Sequence, residues 1–356
     1  MKELETITRL SHRFGGEEWV KGGGGNTSCK VNGRLYVKPS GTTLKGLSPW
    51  SFIVMDREKL FELDQLQPDA DSSKREAQVK TAMENATLAD VQGRASVEAP
   101  LHNSFEATYV VHTHPTLVNG MTCSTQGPEV CAKLFPESLW VEYTDPGFTL
   151  CRVVGKRLEE YRAKNGKEPE LLFLENHGVF IATSSPERMV ELHLEVSQSL
   201  TKAYEDAGVT SPPQDASPSP ELSDDAGELM GSLNKLGASA QWLVLHGKLE
   251  GPKGPFTPDH IVYMKSFIYE GTPSLEGLKA YQDQYNCMPR IIVTQNGTIA
   301  CGKSQREANL AMDLFRDASE ILSYTQAFGG PQTLKDEFRA FIENWEVESY
   351  RAKQMS

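Results

Sequence analysis

The run Val110-Val111-His112-Thr113-His114 sets two histidines at alternate positions of an apolar, β-branched stretch. On a strand, side chains two residues apart share a face, so His112 and His114 project together, near enough to grip one ion. Two imidazoles on a rigid strand need one or two further ligands to complete a zinc site. His177, in Glu175-Asn176-His177-Gly178, is the candidate third ligand, because a reversing backbone there aims a side chain into a cleft. Three neutral imidazoles leave Zn2+, or another divalent transition metal, its full charge and an open position, which suits Lewis-acid catalysis. Glu98 reads as the acid–base group: a carboxylate beside a divalent ion serves as fourth ligand, as general base, or as each in turn. The plainer alternatives are core packing for the His-x-His pair and helix-dipole complementation for Glu98. His102, one turn beyond, is either its orienting partner or a packed helix residue.

A second chemistry is anion binding. Gly22-Gly23-Gly24-Gly25-Asn26-Thr27-Ser28 leads straight into a hairpin, where glycines admit close backbone approach and successive N–H groups form an anion nest. Lys38-Pro39-Ser40-Gly41-Thr42-Thr43 is another hydroxyl- and glycine-rich turn, and Ser96 is placed to cap the helix that carries Glu98. Gly25, Asn26, Ser28, Ser40, Gly41 and Ser96 are therefore the candidate holders of a phosphate monoester. Neither loop has the lysine of a Walker A motif or the spacing of a dinucleotide fingerprint.

These residues need a frame. Leu4, Ile7, Leu10 and Phe14 fall at helical spacing, and residues 28–31 and 35–38 read as a hairpin turning at Asn32-Gly33. A strand is expected at 51–55 and a helix at 73–86; strands at 171–174 and 179–182 flank His177, and a long helix starts at Ser185-Pro186 and ends near Gly208. The order predicts an α/β layered domain over residues 1–208. Ser211-Pro212-Pro213 and Ser217-Pro218-Ser219-Pro220 mark a linker at 209–224. Residues 225–356 read as a smaller α+β domain: a helix over 226–246, a strand near 260–268, a hairpin turning at Asn296-Gly297, and helices near 304–325 and 334–344. His12, His193 and His246 are expected on helices, as surface or core residues, and His260 is a possible ligand of the second domain.

Composition bounds the partners. A net charge of −12 over 356 residues argues against nucleic acid, whose backbone is gripped by excess Lys and Arg. The six cysteines form no CxxC pair, in keeping with reduced thiols. With no apolar leader and no run long enough to span a bilayer, the expectation is a soluble, cytoplasmic protein without membrane partners.

Taken together, Gly25-Asn26-Thr27-Ser28, Ser40-Gly41, Ser96-Val97-Glu98, His112-Thr113-His114 and His177 resemble, in order and approximate separation, the class II aldolase/adducin family, and the likeness covers residues 1–208. The resemblance implies an α/β/α three-layer sandwich, usually a homotetramer with active sites between subunits. It further implies cleavage of a ketose 1-phosphate to dihydroxyacetone phosphate and an aldehyde. Zinc on the three histidines would stabilise the enediolate, Glu98 would move the proton, and the loops would hold the phosphate. Tyr143 and Tyr350 are candidates for proton transfer at the aldehyde end. Thr257-Pro258-Asp259-His260 and Asn344-Trp345-Glu346-Val347-Glu348 are similar to the extra region of long rhamnulose-1-phosphate aldolase-like proteins. A 4-epimerase or a dehydratase of the same family is the alternative, and Glu98 favours the aldolase. A non-catalytic adducin-like scaffold would have no need of three intact histidines.

Overall fold

The computed structural model describes residues 1–64, 72–88, 93–210 and 217–344. Residues 211–216 of the expected linker lie outside these, as do 345–348 of the C-terminal motif and Tyr350. The chain forms two compact units, Met1–Val118 with Pro128–Leu200, and Asn119–Gly127 with Thr201–Ser356. The expected division at 208 therefore differs from the packing: 119–127 and 201–208 fold with the second unit.

The elements of the first part of the chain are α1 (Lys2–Arg13), β1 (Asn26–Val31), β2 (Arg34–Val37), β3 (Ile53–Asp56), α2 (Arg57–Asp64), α3 (Ser72–Ala86), α4 (Ala99–Ser104), β4 (Tyr109–Thr113), α5 (Thr116–Thr122), α6 (Gly127–Leu134), β5 (Leu139–Val141), α7 (Phe148–Asn165), β6 (Leu171–Leu174), β7 (Gly178–Thr183) and α8 (Pro186–Asp206). Seven strands form one sheet in the order β3-β2-β1-β4-β7-β6-β5. All neighbours are antiparallel except β5 and β6.

The hairpin falls where Asn32-Gly33 required it. Both turn residues have positive φ, 49° and 74°, the twist that joins two right-handed strands tightly. The sheet is covered on both sides, as a three-layer α/β/α sandwich requires. On one face Leu101 of α4, Phe105 just past its end, and Leu150, Val154 and Leu158 of α7 pack on Val110, Leu172, Leu174, Phe180 and Ala182. The same face continues where Leu35, Val37, Ile53 and Met55 meet α2 and α3 through Leu60, Leu63, Val79 and Met83. On the other face α1 lies against β1 and β4, with Ser11 Oγ 2.7 Å from Thr27 Oγ1, and Phe135 rests on Phe173 with ring centroids 5.0 Å apart.

The second unit adds α9 (Leu222–Lys235), β8 (Trp242–His246), α10 (Pro258–Met264), β9 (Tyr269–Glu270), α11 (Leu275–Tyr285), β10 (Ile291–Val293), β11 (Thr298–Gly302), α12 (Gln305–Thr325) and α13 (Asp336–Asn344). Its sheet runs β8-β11-β10-β9. The expected hairpin at Asn296-Gly297 is present as β10 and β11. Two expectations fail here. The helix over 226–246 is instead α9, starting four residues earlier, followed by strand β8, so Leu222 is core rather than linker and His246 lies on a strand. The strand near 260–268 is the helix α10. Thr257 and His260 form a reciprocal capping box with Pro258 in the first turn, and this local start signal outweighs the β-branched Ile261-Val262 pair. His260 is occupied by that cap and by Asp317, whose Oδ2 lies 3.2 Å from Nε2.

Candidate metal centre and anion loops

The candidate metal, acid–base and phosphate residues, from Gly25 to His177, belong to the first unit. The centre is built on register. Asn26 of β1 and Phe180 of β7 both stand opposite His112 of β4, so the three side chains share one sheet face, together with Ser28 two residues along. His112 is fully buried, and its ring lies flat on Phe180, centroids 3.8 Å apart and planes within 7°. Its Nδ1 is 2.9 Å from the Val179 carbonyl oxygen. A carbonyl only accepts, so Nδ1 carries the proton and Nε2 is turned toward His114 and Glu98, the arrangement that orients a ligating histidine.

His114 follows the strand end, its N–H held by the Trp19 carbonyl at 2.9 Å. His114 Nε2 lies 2.9 Å from His112 Nε2. His177 enters from the β6–β7 turn, where Asn176 adopts φ 53° and the His177 N–H bonds Leu174 O at 3.2 Å. One ring nitrogen of each of the three buried histidines lies within 4.8 Å of the others, a cluster able to hold a metal ion. Two glycines permit this closeness. A methyl on Gly178 would run into the Thr113 carbonyl and come within 2.8 Å of His114 Cδ2, while one on Gly25 would meet the His112 carbonyl at 2.8 Å. Gly25 also has φ 70°, open to glycine at little cost.

Glu98 reaches the same place. Its Oε1 is 3.5 Å from His112 Nε2 and 3.9 Å from His177 Nε2, with the side chain 14% exposed. Its position on the chain differs from expectation. Ser96 Oγ accepts the Glu98 N–H at 3.3 Å, and Glu98 itself is the residue before α4 rather than part of the helix. Pro100 in the first turn sets that start, and the first helical bond runs from His102 N to Glu98 O at 2.9 Å. His102 turns toward Ser28, its Nδ1 2.8 Å from Ser28 Oγ, and not toward Glu98.

Two of the candidate anion-binding segments also adjoin. Ser40 N–H bonds Arg94 O at 2.8 Å and Pro39 bridges Ala95, so the Ser40–Gly41 turn and the Ser96 segment lie side by side. Gly41 supplies φ 75° to that turn. Lys38, read from sequence only as part of the loop, is 3% exposed with Nζ 2.8 Å from Thr42 O, a cation set into the turn. Asn26 is buried, its Oδ1 accepting the Thr27 N–H at 3.0 Å. Tyr143 donates its backbone N–H to Glu175 at 2.7 Å, beside the His177 turn. Phe180 and the Val179 carbonyl were not singled out in the sequence; only strand register could have found them.

The fold and the centre thus define an α/β/α domain with a cluster of three histidines on its sheet that could hold a metal ion. The sequence profile described as Class II Aldolase and Adducin N-terminal domain matches residues 5–204, and the chain belongs to that family. A Bacillus subtilis (strain 168) protein named uncharacterized oxidoreductase YuxG is 27% identical over 192 residues, half of this chain but only 26% of that protein. Among solved structures, the N-terminal class II aldolase domain of a conserved protein from Thermoplasma acidophilum matches at 20% identity and TM-score 0.48, over 56% of this chain and 92% of that one. An L-fuculose-1-phosphate aldolase from Thermus thermophilus matches at 16% identity and TM-score 0.37, over 56% and 94%. Among the described residues no helix is long and apolar enough to cross a membrane.

Proposed function

We propose that this protein is a metal-dependent aldolase that cleaves a ketose 1-phosphate to dihydroxyacetone phosphate and an aldehyde. The observation that carries the reading is the convergence of His112, His114 and His177 with the Glu98 carboxylate, 3.5 Å from the nearest ring nitrogen. The donor set fits a zinc ion: three neutral imidazoles, one with its tautomer fixed by Val179 O, and a carboxylate in reserve. Zinc held there supplies Lewis-acid charge for a carbonyl oxygen of the substrate.

The remaining work belongs to the chain. As the C–C bond breaks, the hydroxyl on the departing carbon gives up its proton to become the aldehyde, and Glu98, beside the buried His112, delivers a proton to the carbon next to the substrate carbonyl. Asn26, Ser28, Ser40, Gly41 and Ser96 hold the phosphate through hydroxyl, amide and backbone donors, and so fix which carbon faces Glu98. The partner is a small sugar phosphate, and the expected assembly is a homotetramer in the cytoplasm.

Incubation of the zinc-loaded protein with a panel of ketose 1-phosphates, reading dihydroxyacetone phosphate release, tests the proposal. Release from at least one ketose is expected. Turnover of a pentulose phosphate to its 4-epimer without release would move the assignment to the epimerase, and failure to bind zinc would remove both.

A further inference from the structure

His102 is used by none of the steps above, yet it is among the most constrained polar groups in the unit. It is fully buried, its Nδ1 lies 2.8 Å from Ser28 Oγ, and its Nε2 has no hydrogen-bond partner. The ring edge meets Phe180 at a centroid distance of 5.3 Å. Burial holds the imidazole well below its ordinary pKa, so it is neutral and has one proton for two nitrogens.

The two tautomers have opposite consequences for Ser28. With the proton on Nε2, a buried N–H is stranded and Nδ1 consumes the Ser28 hydroxyl proton, leaving Ser28 to face the site with lone pairs that repel an anion. With the proton on Nδ1, Ser28 Oγ accepts, and its own hydroxyl proton is free to point elsewhere. Each form strands one nitrogen, so the ring alone does not decide. A bound anion does: an O–H donated to a charged oxygen is roughly twice as strong as a neutral pair, and a chain N–H to O–H to O⁻ polarises in one direction.

We propose that His102 holds its proton on Nδ1 and donates to Ser28, so that the Ser28 hydroxyl is delivered as a donor to a phosphate oxygen of the substrate. His102 is thus a positioning residue for the phosphate end, acting through Ser28. The inference rests on the reading of Ser28 as a phosphate holder.

Long-range proton–nitrogen NMR of the zinc-loaded, 15N-histidine-labelled full chain reads the tautomer directly. The Nδ1–H form is expected once dihydroxyacetone phosphate is bound; an Nε2–H form in that complex overturns the proposal. Affinity supplies the second arm. In His102→Asn the side-chain amide lies the same number of bonds from Cβ as Nδ1, whereas in His102→Gln it lies at the Nε2 position. His102→Gln is expected to weaken dihydroxyacetone phosphate binding by about 10-fold or more and His102→Asn by much less, with dihydroxyacetone itself bound equally by all three proteins. Equal losses in both variants would reduce His102 to a packing residue. A wild-type protein that does not prefer dihydroxyacetone phosphate over dihydroxyacetone would overturn the phosphate reading itself.

Discussion

Replacing Gly178 with alanine probes how the centre is assembled. Gly178 opens β7 and pairs with Leu174, while its neighbour Val179 pairs with Thr113 at the end of β4. Its φ is not in the left-handed region, so alanine suits the backbone and the cost is purely steric. The added methyl would press on the Thr113 carbonyl, with His114 Cδ2 at 2.8 Å and His114 Cα at 3.3 Å. Those contacts fall inside the roughly 3.5–4.0 Å at which non-bonded carbons rest. Relief requires either parting β4 from β7 or swinging the His114 ring away from His112, whose nitrogens now stand 2.9 Å apart. Overpacking of this kind costs about 1–3 kcal/mol, and misplacing a ligand's support typically lowers metal affinity about 10- to 100-fold. Urea unfolding of the metal-free protein measures the first quantity, and zinc competition against a chromophoric chelator measures the second. Zinc affinity within about twofold of wild type, the scatter expected of unrelated sites, would refute the argument that Gly178 sets the spacing of the ligands.

Other substitutions separate the remaining parts. A methyl on Gly155, inside α7, would meet only Ser104 Oγ at 3.7 Å, so Gly155→Ala should stabilise the protein by about 0.5–1 kcal/mol in the same unfolding assay; destabilisation would contradict it. Glu98→Gln should lower kcat by about 10²- to 10⁴-fold with zinc affinity retained; full activity in that variant would remove Glu98 from the chemistry. His193 stacks on Phe14 at 3.6 Å, and burial pushes its pKa down to about 4. Below its unfolded pKa near 6.5 the unfolded chain takes up a proton that the folded ring refuses. Stability carried by the neutral ring is therefore present above that pH and is lost as pH falls toward 4, by about 3 kcal/mol. In His193→Gln the stability lost between pH 6.5 and 4 should be smaller by that amount; superimposable pH profiles would exclude His193 as the source.

Much of the candidate site's geometry was legible because its signals are local. His-x-His on an apolar strand needs only the two-residue period to set both rings on one face, and Asn32-Gly33 needs only its positive φ to define the hairpin that carries Asn26 and Ser28. The gathering of five separated motifs was legible only through their resemblance to a family. Where local signals conflicted, the reading failed. Ile261-Val262 suggested a strand, but Thr257, Pro258 and His260 start a helix there, and the single helix expected over 226–246 divides into α9 and β8.

By itself, then, the sequence determined which groups are available and which pairs must share a face, since strand and turn geometry act over a few residues. Only the tertiary structure decided what those groups meet. That Val179 O meets His112 Nδ1, that Phe180 lies flat on its ring, and that His102 meets Ser28 rather than Glu98 all depend on strand register and helix docking. Those contacts join residues as far apart as Ser28 and His102. His112 is ordered by partners from β7 and the His114 backbone by the Trp19 carbonyl, and no spacing within residues 110–114 encodes either.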